Sequence, residues 1–248
     1  MKKLLITVAL ATSIVSAPAM ADKVRIGTEG AYAPWNFIDD SGNLAGFEID
    51  LGNALCAQAG LECEFVANEW DSIIPNLVAG NYDLIMAGMS ITEERAQTID
   101  FSSDYYPPDP SKYVAAGGAG LDFDNMSGKR IGAQGATVQA AYLEQNFAAN
   151  NDIVLYETAD QSVADLMAGN IDALLADGEF LKPIVDGSGG AIEFTGPSPQ
   201  IGGGVGIGMR KNEPDLAAAM SGALEAAKAD GTVDKLIMQY FETGPFYQ

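Results

Sequence analysis

Two stretches of the chain, LVAGNYDLIMAG at residues 77–88 and LMAGNIDALLAD at residues 166–177, resemble each other and decide the fold. In register, Asp83 pairs with Asp172. Each copy is typical of a helix that ends at Ala-Gly, a short turn with an aspartate, and an apolar run that forms a buried strand. Similar helix–glycine–strand connections also occur by chance in unrelated α/β proteins. We interpret the pair as two similar α/β lobes that face a common ligand.

The residue that ends each copy is a candidate for ligand binding. The first copy ends at Gly88 and the second at Asp177. Parallel strands in open α/β sheets bring ligand-binding groups to their carboxyl ends. We therefore expect both residues at the wall of a cleft between the lobes. An unpaired buried carboxylate is costly, so Asp177 must be either paired or exposed to solvent. An aspartate in a surface turn would therefore give the same sequence pattern.

The beginning of the chain has the pattern of a cleavable signal peptide over residues 1–21. Two lysines precede a short apolar run at residues 4–15, and an Ala-Met-Ala cleavage site ends at Ala21. The run is shorter than a membrane span requires, and no cysteine directly follows the cleavage site, so we expect no lipid anchor. We therefore expect a periplasmic protein that starts at Asp22.

The composition excludes several classes of function. The 248-residue chain carries 13 basic residues, 34 acidic residues and no histidine, which gives a formal net charge of −21. Such a surface repels nucleic acid and anionic membranes, so we expect neither as a partner. Without histidine, Ser-His-Asp and Cys-His catalysis are excluded. Neither a metal site nor another cofactor is expected, and we do not expect an enzyme.

The order of predicted elements gives an α/β protein with two lobes, each a mostly parallel sheet flanked by helices. Residues 22–110 alternate strands and helices, with a loop predicted at residues 29–46 after the first strand. They end in three prolines within four positions, which cannot lie inside a helix or a central strand. Residues 111–205 repeat the alternation. A stretch rich in glycine and proline then returns the chain, so residues 206–248 complete the first lobe. Two crossovers between lobes form a hinge, and the cleft can close on a ligand.

Two local features are predicted from spacing. Ser90 and Glu93 fit a capping box that opens a helical turn. Cys56 and Cys63 are close together in an exported chain, so we expect one disulfide that links a helix to the strand after it.

Several motifs together resemble the polar amino-acid family of periplasmic binding proteins. They are TEGAYAPWNF, GFEIDL, WDSIIPNLVAGNYDLIMAGMSITEER, DFSSDYY, the GAT turn and GVGIGMRK. The resemblance covers nearly the whole mature chain, and the two cysteines resemble the disulfide pair of the cationic amino-acid binders. It implies a type II periplasmic binding protein fold and a monomeric receptor that delivers an amino acid to an inner-membrane ABC permease. Receptors for lysine/arginine/ornithine, histidine and opines are the most similar.

The residue types agree with a zwitterionic ligand. Arg95 offers a planar fork for an α-carboxylate, and the N–H groups near Gly88 and Ser90, with the Ser90 hydroxyl, can donate to the same group. Thr137 precedes a predicted helix, whose N-terminus also attracts anions. Asp177 is the expected partner of the α-ammonium. On the sequence alone, an exposed arginine at a helix end explains Arg95 equally well; the resemblance favours the ligand role.

Four further residues are expected around the ligand side chain. The resemblance aligns Tyr32 and Trp70 with the two aromatic residues that sandwich it, where a cation–π contact contributes about 0.5–2 kcal/mol. Glu29 matches the carboxylate that contacts a distal cation in the cationic receptors. Glu48 is a second candidate, although the helix dipole also favours an acid in the first turn of a helix. These first-lobe motifs offer no second basic residue, so glutamate and aspartate are expected to bind poorly.

Two other functions remain open. Opine receptors resemble this chain and bind N-substituted amino acids, but a free primary amine suits Asp177 better. Some proteins of this fold act as cyclohexadienyl dehydratases. The intact set of Arg95, Thr137 and Asp177, without an evident pair for proton transfer, favours a receptor over an enzyme.

Overall fold

The fold consists of two α/β lobes joined by two crossover segments. The computed structural model describes residues 23–248, and the predicted signal peptide lies outside them. The strands are β1 Val24–Thr28, β2 Ala31–Tyr32, β3 Asn36–Ile38, β4 Leu44–Ala45, β5 Cys63–Ala67, β6 Leu84–Ile85, β7 Asp100–Tyr106, β8 Ser111–Ala116, β9 Arg130–Gln134, β10 Asp152–Tyr156, β11 Ala173–Asp177, β12 Ile192–Thr195 and β13 Val205–Met209. The helices are α1 Phe47–Ala59, α2 Ile73–Val78 after a 3₁₀ turn Trp70–Ser72, α3 Glu93–Thr98, α4 Val138–Asn146, α5 Ala159–Met167, α6 Gly178–Gly187, α7 Pro214–Ala229 and α8 Thr232–Phe241.

Each lobe is built on a five-stranded sheet, and the two sheets have the same pattern of strand directions. The first has the order β5-β1-β6-β13-β7 and the second the order β10-β9-β11-β8-β12. In the first sheet β13 runs antiparallel to both neighbours, while β1 is parallel to β5 and β6. In the second sheet β8 is the reversed strand, and β9 is parallel to β10 and β11. The predicted fold class is confirmed.

The reversed strand in each sheet is the one that follows a crossover. The proline-rich segment 107–110 joins β7 to β8, and the glycine-rich segment 196–204 joins β12 to β13. The strands of the first sheet therefore come from the segments of the chain that precede and follow the second lobe. The exact limits of the lobes stay a prediction.

The two repeated stretches fold in the same way. Asp83 Oδ2 accepts the backbone N–H of Arg25 in β1 at 2.9 Å, and Asp172 Oδ2 accepts that of Arg130 in β9 at 2.8 Å. The aspartate in each turn therefore ties the repeat to the neighbouring parallel strand. From this tie β6 and β11 run toward the cleft, so their carboxyl ends meet there.

The core of the first lobe lies between its sheet and α1, α7 and α8. Helix α1 buries Phe47, Leu51 and Leu55 completely, and their spacing of four residues places them on one helix face. A disulfide joins Cys56 of α1 to Cys63 of β5, as predicted. Within residues 23–248, no helix combines the length and the apolar character needed to cross a membrane.

Two local predictions are wrong. The segment after β1, predicted as a loop, forms the three-stranded sheet β2-β3-β4; strands of two or three residues are too short to show an alternating pattern. Helix α3 begins at Glu93, and its N-cap is Thr92, whose Oγ1 accepts the N–H of Arg95 at 3.1 Å. The capping box of Ser90 with Glu93 does not form, because Ser90 instead pairs with Val205 in an isolated β-bridge.

Candidate ligand-binding site

A cavity with about 330 Å³ of empty space, part of it open to solvent, lies between the lobes, where β1, β6, β9 and β11 end. Eight of the nine residues predicted for the site line it: Glu29, Tyr32, Trp70, Gly88, Ser90, Arg95, Thr137 and Asp177. Four residues that were not predicted also line it: Ala87, Gln134, Val138 and Gln139.

Arg95 supplies a positive charge to one wall of the cavity. Its guanidinium lies 5.2 Å from the centroid of the Trp70 ring, and its Nη1 donates to the carbonyl oxygen of Ser90 at 2.9 Å. Within residues 23–248 it takes part in no ion pair. Burial lowers the pKa of Arg95 to about 10, so it stays protonated at neutral pH. Its remaining N–H groups can hold a carboxylate.

Asp177 supplies a negative charge to the same cavity from the second lobe. Its Oδ2 accepts the Tyr32 hydroxyl and its Oδ1 accepts Nε2 of Gln139, each at 2.7 Å. Burial raises the pKa of this carboxyl, while the two hydrogen bonds and the charge of Arg95 lower it. A carboxylate offers about four lone-pair sites. Asp177 can therefore still accept hydrogen bonds from an ammonium group.

Glu29 places a second carboxyl in the cavity, directly after β1. Its Oε1 accepts Nε2 of Gln134 from the opposite lobe at 2.6 Å. Burial raises the pKa of Glu29 to about 7; the hydrogen bond from Gln134 lowers it, and the nearby acids Asp160 and Glu48 raise it further. A cation bound beside Glu29 would favour the ionised form.

The aromatic residues form walls of the cavity, and each contacts the opposite lobe. The ring of Tyr32 stacks on Phe180 of α6 with centroids 4.3 Å apart and an interplanar angle of 4°. Trp70 donates its Nε1–H to the carbonyl oxygen of Ala136 at 3.2 Å. The lobes are therefore closed against each other around the cavity.

Several predicted donors have partners within the protein. The Gly88 N–H donates to Oε1 of Glu48 at 2.7 Å, so the structure gives it a different partner from the predicted ligand. Thr137 caps α4: its Oγ1 accepts the N–H of Ala140 at 3.1 Å and donates to a backbone carbonyl of the preceding turn at 2.7 Å. The Ser90 hydroxyl forms no hydrogen bond within the described part of the chain and can donate to a ligand.

Glu48, predicted as a second candidate for contact with the ligand, lies beneath the cavity and is not one of the residues that line it. Its side chain is completely buried and accepts Nδ2 of Asn36 and the N–H of Gly88, each at 2.7 Å, and the Tyr105 hydroxyl. Burial raises the pKa of Glu48, while these three hydrogen bonds lower it. It lies in the first turn of α1, as the alternative interpretation expected, but it is buried rather than exposed.

Comparison with known proteins decides the family. Residues 24–243 match the bacterial extracellular solute-binding proteins, family 3. This chain belongs to that family. The lysine/arginine/ornithine-binding periplasmic protein of Escherichia coli (strain K12) is 37% identical to this solute-binding protein, over 95% of this chain and 94% of the relative. The octopine-binding periplasmic protein of Rhizobium meliloti is 36% identical, over 82% and 78% of the two chains.

A solved structure agrees with this assignment. A periplasmic His/Glu/Gln/Arg/opine family-binding protein from Silicibacter pomeroyi, in complex with lysine, is 46% identical to the solute-binding protein. The match covers 90% of this chain and all of the other, with a TM-score of 0.83. The predicted family and its solute-binding function are confirmed.

Two glutamines of the solute-binding protein escaped prediction although they lie at the cavity. Gln134 ends β9 and Gln139 lies in the first turn of α4, so their position at the carboxyl edge of the sheet was the available signal. Nε2 of Gln139 donates both to Asp177 and to Oγ of Ser111, the latter at 3.1 Å. Ser111 is the first residue of β8 after the first crossover.

Among residues 23–248, no group of three His, Cys, Asp or Glu side chains could hold a metal ion.

Proposed function

We propose that this solute-binding protein captures a cationic L-amino acid in the cleft between its lobes and delivers it to an inner-membrane ABC permease. One observation carries the proposal. The Arg95 guanidinium and the Asp177 carboxylate line the same cavity, and neither forms an ion pair within residues 23–248. Because an isolated buried charge is unfavourable, this pair favours a ligand with one charge of each sign. The α-carboxylate would bind Arg95, and the α-ammonium would bind Asp177.

The preference for a cationic side chain rests on the third charged group. Arg95 is the one basic residue among those that line the cavity, and it is assigned to the α-carboxylate. An acidic side chain would then face Glu29 without a basic partner, whereas an ammonium or guanidinium would gain a carboxylate. The Trp70 ring adds a surface suited to a cation. The name of the lysine/arginine/ornithine-binding relative supports the same ligand class.

Calorimetric titration tests this proposal. Each charge-assisted hydrogen bond is worth about 1.5–3 kcal/mol, so several of them readily reach micromolar affinity, about −8 kcal/mol. We expect at least one of lysine, arginine, ornithine and histidine to bind at that level, and glutamate and glutamine to bind far more weakly. The D-isomer of the tightest ligand is the control for stereospecific placement of the two α-groups. Tight binding of glutamate without any response to the four cationic candidates would overturn the proposal.

An opine is a second candidate, favoured by one contact. Each oxygen of Asp177 already accepts one hydrogen bond, from Tyr32 or from Gln139, which reduces the acceptor sites left for a ligand. A substituted amine has fewer N–H groups than a primary amine, so it can still donate all of them. The octopine-binding relative supports this alternative. Asp177→Asn should weaken binding of a primary amine by about 2–5 kcal/mol and weaken binding of octopine far less. Equal losses for arginine and octopine would exclude the opine.

We further propose that the protein is a receptor and not an enzyme. The relatives compared above carry the names of binding proteins. A receptor should yield no product when it is incubated with prephenate or arogenate. If the protein were an enzyme, Glu29 would be the candidate acid, because its pKa of about 7 suits proton transfer. Product formed by the wild type and lost in Glu29→Gln would identify an enzyme and exclude a contaminant.

The remaining assignments concern the mature protein. We propose cleavage after Ala21, a periplasmic location and a monomeric state, with residues 22–110 and 206–248 in one lobe and 111–205 in the other. Intact mass of the exported protein tests the cleavage site, and light scattering after size-exclusion chromatography tests the monomer. Limited proteolysis with and without ligand tests whether the crossovers act as the hinge.

A further inference from the structure

Beneath the cavity, one buried carboxylate connects two separate segments of its first-lobe wall. Glu48, in the first turn of α1, is completely buried and accepts the N–H of Gly88 at 2.7 Å. Its other oxygen accepts Nδ2 of Asn36 at 2.7 Å, and Oδ1 of Asn36 accepts the N–H of Gly30 at 2.6 Å. Gly30 follows Glu29, so a chain of hydrogen bonds joins the two wall segments from below.

Both glycines have a backbone conformation that turns the N–H inward. Their φ angles are 77° at Gly30 and 61° at Gly88, in the left-handed region that favours glycine. Neither N–H donates to a backbone carbonyl within residues 23–248, and a buried N–H without an acceptor is costly. The acceptors come from Glu48 directly and from Asn36 as an intermediate. The shape of the wall therefore depends on an acceptor at Glu48.

We propose that Glu48 is a positioning residue for the ligand site, which fixes the Glu29–Gly30 and Gly88 segments relative to each other. It does not touch the cavity, because it is absent from the lining residues and its two oxygens are engaged by Asn36, Gly88 and Tyr105. The test by ligand affinity rests on the proposed amino-acid function. The test by amide hydrogen exchange rests on the hydrogen bonds alone.

The chemistry of an amide explains why Glu48→Gln is the informative change. A glutamine keeps the volume but replaces one acceptor oxygen by an N–H donor. That donor would face either Nδ2 of Asn36 or the N–H of Gly88, and both are donors. Asn36 cannot turn over to help, because its oxygen already accepts Gly30. The Tyr105 hydroxyl can rotate to accept, but it contacts neither wall segment.

Two control variants match separate parts of this change. Tyr105→Phe removes one hydrogen bond from the same carboxylate and leaves the bonds to Gly88 and Asn36 intact. Asp50→Asn converts an acid to an amide in the same helical turn, on its exposed side, where it accepts the Tyr240 hydroxyl at 2.6 Å. The first control measures the effect of a weakened buried cluster, and the second measures the loss of a charge near the helix N-terminus.

The affinity for L-arginine and L-lysine, measured by calorimetry at a temperature where all variants are folded by circular dichroism, is the first readout. We expect Glu48→Gln to weaken binding at least about tenfold, and both controls to change it by less than about threefold. Asn36→Ala should weaken binding as well, and combining it with Glu48→Gln should add little, because both interrupt one chain of hydrogen bonds. Two results would overturn the proposal. One is a double variant whose loss of affinity equals the product of the two single losses; the other is an affinity of Glu48→Gln equal to that of Tyr105→Phe.

Amide hydrogen exchange of the ligand-free protein is the second readout and needs no ligand. The N–H groups of Gly30 and Gly88 should exchange faster in Glu48→Gln and keep wild-type rates in both controls. Unchanged exchange at both glycines would refute the positioning role even if affinity falls. If the wild type binds no amino acid but the exchange pattern appears, the proposed function fails and the positioning of the wall stands.

Discussion

The affinity for a cationic amino acid should rise with pH across neutrality, because the carboxyl of Glu29 must ionise to hold the ligand cation. Burial holds the pKa of Glu29 at about 7 in the cleft, with a smaller contribution from Asp160 and Glu48 and an opposing one from the Gln134 hydrogen bond. The neutral form therefore dominates below that pH. A cation favours the charged form, so binding releases a proton, and affinity increases as pH rises toward and past 7.

The size of the effect follows from the fraction of Glu29 that is ionised before binding. With a pKa of about 7, about 1 in 11 molecules is ionised at pH 6 and about 10 in 11 at pH 8. The dissociation constant should therefore fall about tenfold between pH 6 and pH 8, and binding at pH 7 should release about half a proton. The same difference equals about 1.4 kcal/mol of binding free energy.

Calorimetry in two buffers of different ionisation enthalpy measures both quantities. L-arginine is the appropriate ligand, because its guanidinium does not titrate in this range. The matched variant is Glu29→Gln, which keeps the shape and one acceptor oxygen for Gln134 but cannot ionise. It should bind arginine more weakly at pH 8 and lose most of the pH dependence. An affinity that is flat or falls from pH 6 to pH 8 in the wild type would refute this role of Glu29.

Three further predictions concern the charges and the disulfide. Arg95→Gln should reduce the affinity for every α-amino acid by about 2–5 kcal/mol, since it leaves the ligand carboxylate without its charged partner; calorimetry measures this, and a selective loss of only cationic ligands would contradict it. Asp177→Asn should cause a loss of similar size for lysine but should leave the folded state intact by circular dichroism. Replacing Cys56 and Cys63 by serine should destabilise the fold by about 2.5 kcal/mol, the chain-entropy value for a loop of roughly eight residues, and lower Tm by about 5–10 °C; an unchanged Tm would show that the helix and strand need no cross-link.

The parts of the fold that the sequence predicts are those with a repeated local pattern. The two Ala-Gly-Asn turns with their apolar runs predict β6 and β11 and the pairing of the lobes. The short strands β2, β3 and β4 are not predictable in this way, since their formation depends on pairing with each other rather than on periodicity. The N-cap of α3 was misplaced because the bridge between Ser90 and Val205 extends the strand-like region toward Thr92.

The site is predictable where a residue type has a specific chemical task at a strand end or helix start. Arg95 and Asp177 meet that condition, and both line the cavity. Glu48 does not, because the sequence cannot show that three donors from distant segments surround it. The contact of Phe180 with Tyr32 is missed for a similar reason: it joins two lobes that are distant in sequence, and no local pattern encodes it.

A crystal structure of the protein with L-arginine tests the binding mode most directly. We expect the ligand in the cavity between the lobes, with its α-carboxylate about 3 Å from the Arg95 guanidinium. Its α-ammonium should contact Asp177, and its side-chain cation should face Glu29. A ligand bound elsewhere, or bound in the reverse direction with its carboxylate away from Arg95, would refute the roles assigned to Arg95 and Asp177.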